Sequence, residues 1–206
     1  MVVSRTVSGA RHPSRRARWT AVAAGCAVLA GGVVWWAVRD GEGSAVSVPS
    51  KVCDGSLAGD LVSPLLGDHG SAYTEEAQGF KKDGSTGFCS VRGGGLAVRI
   101  SYHRWSGDSY KDETVEKLIS TDGHQALKVG TAKGYTSDSA GALFVPCPRS
   151  DDSDSKVQIQ TEYLHHDGAK GTGTKAFRDL TLATARYVAQ DLLQCEGAES
   201  LSKSNS

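Results

Sequence analysis

No acidic residue occurs before Asp40, no lysine before Lys51, and no charge of either sign between Thr20 and Val38. The chain has no C-x-x-C pair, no internal repeat that argues for two domains, and no net charge, with 23 basic residues against 23 acidic ones. Each absence excludes something. Without C-x-x-C, and with no histidine at ligand spacing, neither a zinc site nor a thioredoxin-like redox pair has a basis in the sequence. The zero balance hides an asymmetry. Residues 1–44 hold six Arg, no Lys and two acids, a net of +4, and residues 45–206 hold the other 17 basic and 21 acidic residues, a net of −4. A mildly acidic body carries no electrostatic footprint for nucleic acid, which is not expected as a partner. The arginine-rich start reads as a topology signal beside anionic lipid headgroups.

What the first forty residues do have is an apolar run. Thr20 to Val38 is nineteen uncharged residues, and at ~1.5 Å rise per residue a helix of that length matches a hydrocarbon core about 30 Å thick. A helix also satisfies its own backbone in lipid. Arg5, Arg11, Arg15, Arg16 and Arg18 precede the run without an acid among them, so the N-terminus is expected on the cytoplasmic side. Trp19, Trp35 and Trp36 stand where interfacial indoles belong. The run is therefore read as an uncleaved signal anchor over 19–39, behind a cytoplasmic tail 1–18, in a single-pass plasma-membrane protein. Two alternatives are weaker. A cleaved signal needs small residues where Val33, Val34, Trp35 and Trp36 stand, leaving only a loose late site at Ala45-Val46-Ser47. Ala23-Ala24-Gly25-Cys26 has a lipobox outline without its leading Leu, and apolar residues continue past the cysteine. Residues 40–51 read as a flexible linker, 52–197 as one extracytoplasmic domain with its own core, and 198–206 as a disordered tail.

Cys26 lies in the apolar run, and Cys53, Cys89, Cys147 and Cys195 lie beyond it. An even count in an oxidising compartment argues for two disulfides. Four cysteines allow three pairings, and sequence alone does not choose among them. The pairing expected is Cys53–Cys89 with Cys147–Cys195, each joining a helix end to a strand. Such crosslinks would each stabilise by roughly 3–4 kcal/mol on the loop-entropy view.

Within the domain, Asp54-Gly55-Ser56 offers caps for a short helix bearing Leu57, Leu61, Leu65 and Leu66, kinked or restarted at Pro64. Asp68 to Gly87 is read as mostly loop. Strands are expected at Phe88–Arg92, Leu96–Tyr102, Gln125–Val129, Ala142–Cys147 and Val157–Leu164, the first two joined by the Gly93-Gly94-Gly95 turn. A helix is expected at Asp112–Ser120. A longer one at Thr174–Gln194 carries Phe177, Leu180, Thr184, Tyr187, Val188 and Leu192 at three- and four-residue steps. The fold class is α+β: an antiparallel sheet with helices packed on one face.

Several stretches look like chemistry. Gly107-Asp108-Ser109-Tyr110-Lys111-Asp112 resembles the G-D-S block of the GDS-type esterases. That family also needs a later Asp-x-x-His to supply a base. Thr121, Glu162 and Tyr163 stand at that offset before His124, His165 and His166, so the partner block is absent. Gly168 to Lys175 has the look of a phosphate loop, but Thr174-Lys175 is the reverse of the order that chemistry requires. Asp151-Asp152-Ser153-Asp154 lacks the Gly and Glu of a calcium loop and reads as a solvated charge run. His165 and His166 are adjacent on a strand and point to opposite faces. No catalytic, cofactor or metal residue is assigned. Tyr102, His103, Trp105 and Tyr110 form an aromatic patch. It is the candidate contact surface if exposed and core if buried.

Val52-Cys53-Asp54-Gly55-Ser56-Leu57, Phe88-Cys89-Ser90-Val91, Val145-Pro146-Cys147 and the segment from Ala189 to Cys195, behind an Arg-rich anchor, resemble uncharacterised exported proteins of high-GC actinobacteria. The resemblance implies an envelope location and paired cysteines, and no activity. The function expected is a membrane-tethered extracytoplasmic binding or interaction module, with the lipid bilayer contacted through 19–39 and an envelope protein or small ligand as partner. The alternative is a small cell-envelope hydrolase.

Overall fold

The computed structural model describes residues 44–80, 84–106, 111–164 and 173–203. The expected anchor over 19–39 and Cys26 lie outside the described residues. No helix among the described residues is long and apolar enough to cross a membrane.

The described chain is α+β. A two-stranded ribbon, β1 (Lys51–Val52) with β2 (Leu57–Ala58), precedes a seven-stranded antiparallel sheet. The sheet comprises β3 (Thr74–Gln78), β4 (Thr86–Gly93), β5 (Leu96–Trp105), β6 (Gln125–Val129), β7 (Ala132–Thr136), β8 (Ala140–Pro146) and β9 (Lys156–Tyr163), in the order β3-β4-β5-β9-β8-β7-β6. Two meanders thus meet at the β5–β9 pairing, where Ile100 lies opposite Thr161 and Tyr102 opposite Ile159. Helix α1 (Asp112–Ile119) links the meanders, and α2 (Gly173–Arg186) follows the second.

Because the pleat alternates, β4, β5, β8 and β9 each send one set of residues to one side. Val91, Val98, Ile100, Leu143, Val145, Val157 and Ile159 enter the main core there. Phe177, Leu180, Ala185, Val188 and Leu192 meet them from α2 and its continuation, which confirms the helical stripe. Gly141 admits the helix: a Cβ there would lie 2.3 Å from the Thr181 hydroxyl oxygen. The Thr161 and Thr181 hydroxyls are 2.7 Å apart across this contact, so the two buried hydroxyls satisfy one another. After Arg186 the helix widens into π-type turns over Tyr187–Leu192. Leu193 N–H donates to the Val188 carbonyl at 2.8 Å, a five-residue step. Cys195 then pairs with Cys147, and Cys53 pairs with Cys89. Both disulfides match the expected pairing.

Several expectations are corrected. The helices do not share one face. Val115 of α1 packs with Ala142 and Phe144, the β8 residues that point away from α2, so α1 sits on the opposite side of the sheet. The Leu57–Leu66 segment is no α-helix. Cys53, Asp54 and Gly55 all take positive φ and turn the chain into the ribbon. Short 3-10 turns then follow at Gly59–Leu61 and Ser63–Leu65, with Pro64 in the first turn of the second. Leu57, Leu65 and Leu66 are nevertheless buried, so the apolar spacing was meaningful although the backbone was not α-helical. Strand β3 replaces part of the expected loop. As an exposed edge strand, Thr74-Glu75-Glu76-Ala77-Gln78 carries no apolar alternation to announce it. Strand β7 was also unforeseen. Gly134 breaks its pattern, but that glycine is where a Cβ would lie 2.0 Å from the Ala142 carbonyl oxygen.

The two flanks of the domain are also docked where looseness was expected. Val46 N–H donates to Asp68 O at 2.9 Å, Ala45 bridges His69, and Val48 packs on the core, so residues 44–50 belong to the folded body. Ala198–Lys203 forms a 3-10 turn with Leu201 only 2% exposed. The Arg186 Nε donates to Leu201 O at 3.0 Å, and Gln190 Nε2 to Ala198 O at 2.6 Å. One buried leucine and two side-chain bonds to its backbone hold this segment against fraying.

Candidate contact face

The strand alternation of β5 divides the aromatic patch. Tyr102 shares the register of Val98 and Ile100 and is buried in the core. Its hydroxyl donates to Gly79 O at 2.5 Å and lies 3.4 Å from Gly84 O, and its ring meets Phe80 edge-on at 5.5 Å. Burial, and secondarily the nearby Tyr187, pushes the Tyr102 phenol above its usual range. Tyr102 is therefore core and not contact surface. Tyr110 lies outside the described residues, as do Ser109, His165 and His166.

His103 and Trp105 take the other side of β5, with Arg99 and Ser101. Their rings lie 4.1 Å apart, tilted by 51°. The Trp105 indole N–H donates to Gln158 Oε1 at 2.9 Å, across the β5–β9 pair. That bond fixes the indole edge beside His103. Phe88 of β4 stands opposite Ser101, and the Arg99 guanidinium lies 5.9 Å from its ring centre. This distance suits a cation–π contact at a partly exposed ring. Gln160 Nε2 donates to Glu162 at 2.8 Å on the same face of β9. At the β3–β4 end, a depression of about 540 Å³ is fronted by Gln78, Thr86, Phe88, Ser101 and His103.

Helix α1 covers only the other part of this face. It is fastened there by Lys156–Asp112 and Lys133–Glu116 ion pairs, both 2.8 Å. The hydrogen bond from Lys156 holds the Asp112 carboxyl below its usual range, and Lys133 does the same for Glu116. His124 stacks on Tyr135 at 3.8 Å, with Nδ1 2.6 Å from Leu118 O, so it closes the end of α1.

A second feature lies at the end of β5. Arg104 points toward the disulfide, with Nη2 3.1 Å from Cys147 Sγ. Its Nε is buried and has no hydrogen-bond partner. Arg149 is close enough to be, after burial, the main influence lowering the affinity of Arg104 for its proton. Asp151 pairs with Arg149 at 2.9 Å within a tight turn closed by Arg149–Asp152 backbone bonds. The acidic loop is thus partly neutralised from within. Among the described residues no group of three or more His, Cys, Asp or Glu side chains is placed to hold a metal ion.

Phe88, Arg99 and Gln158 were legible in principle, since two-residue alternation along confident strands places them beside His103 and Trp105. Arg104 and Arg149 were not. They are 45 positions apart in the chain, and only the pairing of β9 with both β5 and β8 brings them together. Comparison with protein-family models, with curated proteins and with solved structures yields no match.

Proposed function

We propose that this chain is a membrane-tethered extracytoplasmic binding module of a bacterial cell envelope, which engages an envelope partner through the open part of the sheet face. The observation that carries the reading is the pair His103 and Trp105, held side by side on a strand whose other side is core. A strand-borne aromatic pair flanked by Arg99, Gln158 and Gln160 offers rigid apolar area with hydrogen-bonding groups around it, the composition favoured at interface centres. Two disulfides support an oxidising compartment. The uncharged run 20–38 behind five arginines supports a tether with the N-terminus inside.

Two measurements test this. Top-down mass spectrometry of the chain from native membranes should give an intact N-terminus and the loss of four hydrogens for two disulfides. A chain beginning near Val46, one acylated at Cys26, or four free thiols would overturn the tether or the compartment. A photo-crosslinking residue at Ser101, beside His103, should then capture a partner in cells. The same residue at Arg178, on the exposed side of α2, should not. Equal capture at both positions, or capture at Arg178 alone, would reject the contact face.

A further inference from the structure

The end of β5 holds a cation, Arg104, without a directly paired carboxylate among the described residues. Its guanidinium touches an uncharged sulfur, its Nε is buried and unpartnered, and a second guanidinium, Arg149, lies beside it. Two guanidiniums that line one recess repel each other, and an anion held there would offset that repulsion. Asp151 does not resolve it. It pairs with Arg149 from the solvent side and is itself largely exposed, so its field at Arg104 is weak. The surface opens at this point. Two adjoining recesses, about 330 and 250 Å³, share Ser85, Arg104 and Arg149 as walls. The larger is also lined by Leu192 and Leu193. The smaller is bounded by Trp105, Asp151 and Asp152.

We propose that the recess between Arg104, Arg149 and the Leu192–Leu193 pair is a binding site for a carboxylate carried next to a short aliphatic group. The two guanidiniums supply the planar donors that suit a carboxylate. Ser85 supplies a hydroxyl, and the leucines supply an apolar wall suited to an aliphatic group. The acids bounding the neighbouring recess favour a singly charged ligand over a phosphate, whose second charge they would repel. The same chemistry occurs in a free branched-chain acid and in a polypeptide ending in an aliphatic residue. This site is separate from the His103–Trp105 face, although Trp105 borders both.

The test uses the full chain with its disulfides intact in detergent, and N-acetyl-leucine as probe. Thermal unfolding should shift upward saturably with the probe and not with N-acetyl-leucinamide or sodium chloride at matched ionic strength. The Arg104 Nε–Hε resonance should move along the same titration. Arg149→Gln, in an exposed turn, should keep the fold by circular dichroism and weaken binding about tenfold or more, the size expected for one lost charge-assisted bond. Arg104→Lys, which keeps the charge but not the fork, should weaken it as well. Tighter binding of an acetylated tripeptide ending in leucine than of isovalerate would mark a polypeptide terminus as the ligand, and the reverse a free acid. An equal response to the carboxylate and the amide, or undiminished binding in Arg149→Gln, overturns the site.

Discussion

The two faces of the sheet are built from the same strands and differ in almost everything else. One face is roofed along most of its length by α2 and the turns around it, and it carries both disulfides at its margins. Its buried residues are mostly apolar, and its polar groups include the Thr161–Thr181 pair, the Tyr102 hydroxyl bonded to Gly79 O, and the unpartnered Thr184 hydroxyl and Arg104 Nε. The opposite face has a three-residue apolar nucleus, Val115, Ala142 and Phe144, under an eight-residue helix pinned by two exposed ion pairs. The remainder presents rings, amides and charges to solvent. The larger apolar core is thus on one side, and the His103–Trp105 pair is on the other. A sheet divided in this way can change the residues of its less covered face without endangering its core.

Breaking the roofed face should cost most. Phe177→Ala removes a fully buried ring that meets Tyr163 edge-on at 5.0 Å. It should lower unfolding stability by about 3–5 kcal/mol in denaturant titration. Gly141→Ala probes the closeness of α2 and the sheet, since the new methyl collides with the Thr181 hydroxyl and with β9. A loss of about 1–3 kcal/mol is expected, and a neutral result would mean that the helix stands further off than the structure has it. On the other face, Val115→Ala should cost only about 1–2 kcal/mol. Hydrogen exchange should show that loss concentrated in α1 and β7, whose Leu118, Ile119 and Tyr135 pack on the small nucleus.

The smallest effect is a pH dependence on the same helix. Asp112 is held below its ordinary pKa, first by the Lys156 hydrogen bond. A carboxylate whose folded pKa is depressed stabilises above its unfolded pKa, near ~3.9, and that contribution is lost as pH falls through the lower folded value. Acidification below about pH 4 should therefore loosen α1 before the main core. The change should be under about 1 kcal/mol, because the carboxylate is exposed and screened by water. Asp112→Asn should reduce the acid dependence of α1 exchange, leaving the part that belongs to the Glu116–Lys133 pair, and should not affect α2. Equal acid sensitivity of both helices would contradict the division between the faces.

Strong periodicity was the dependable signal. The α2 stripe from Phe177 to Leu192, the alternation of β9, the triple-glycine turn and α1 all lie within a few residues of their expected positions. The turn works because Gly94 and Gly95 both take positive φ between Gly93 and Leu96. Elements whose stability comes from neighbours were not legible. An exposed edge strand such as β3 needs only a partner's backbone, and β7 has a glycine where β8 comes close. The segment from Leu57 to Leu66 had helical spacing, but the positive-φ turn at Cys53–Gly55 and the bond from Gly59 N–H to Ser50 O divert it. The candidate contact face was half legible. Alternation separates His103 and Trp105 from Tyr102, but it does not reveal that α1 stops short of covering them.

By itself, the sequence determined the long amphipathic helix, the central strands and the pool of four cysteines, because periodicity and turn chemistry are local properties of the chain. The choice of disulfide partners, the placing of α1 and α2 on opposite sides, the burial of Tyr102 beside half-buried Trp105, and the meeting of Arg104 with Arg149 were decided by the tertiary structure. Each depends on the register in which β5, β9 and β8 pair, and a register is a relation between segments distant in the chain.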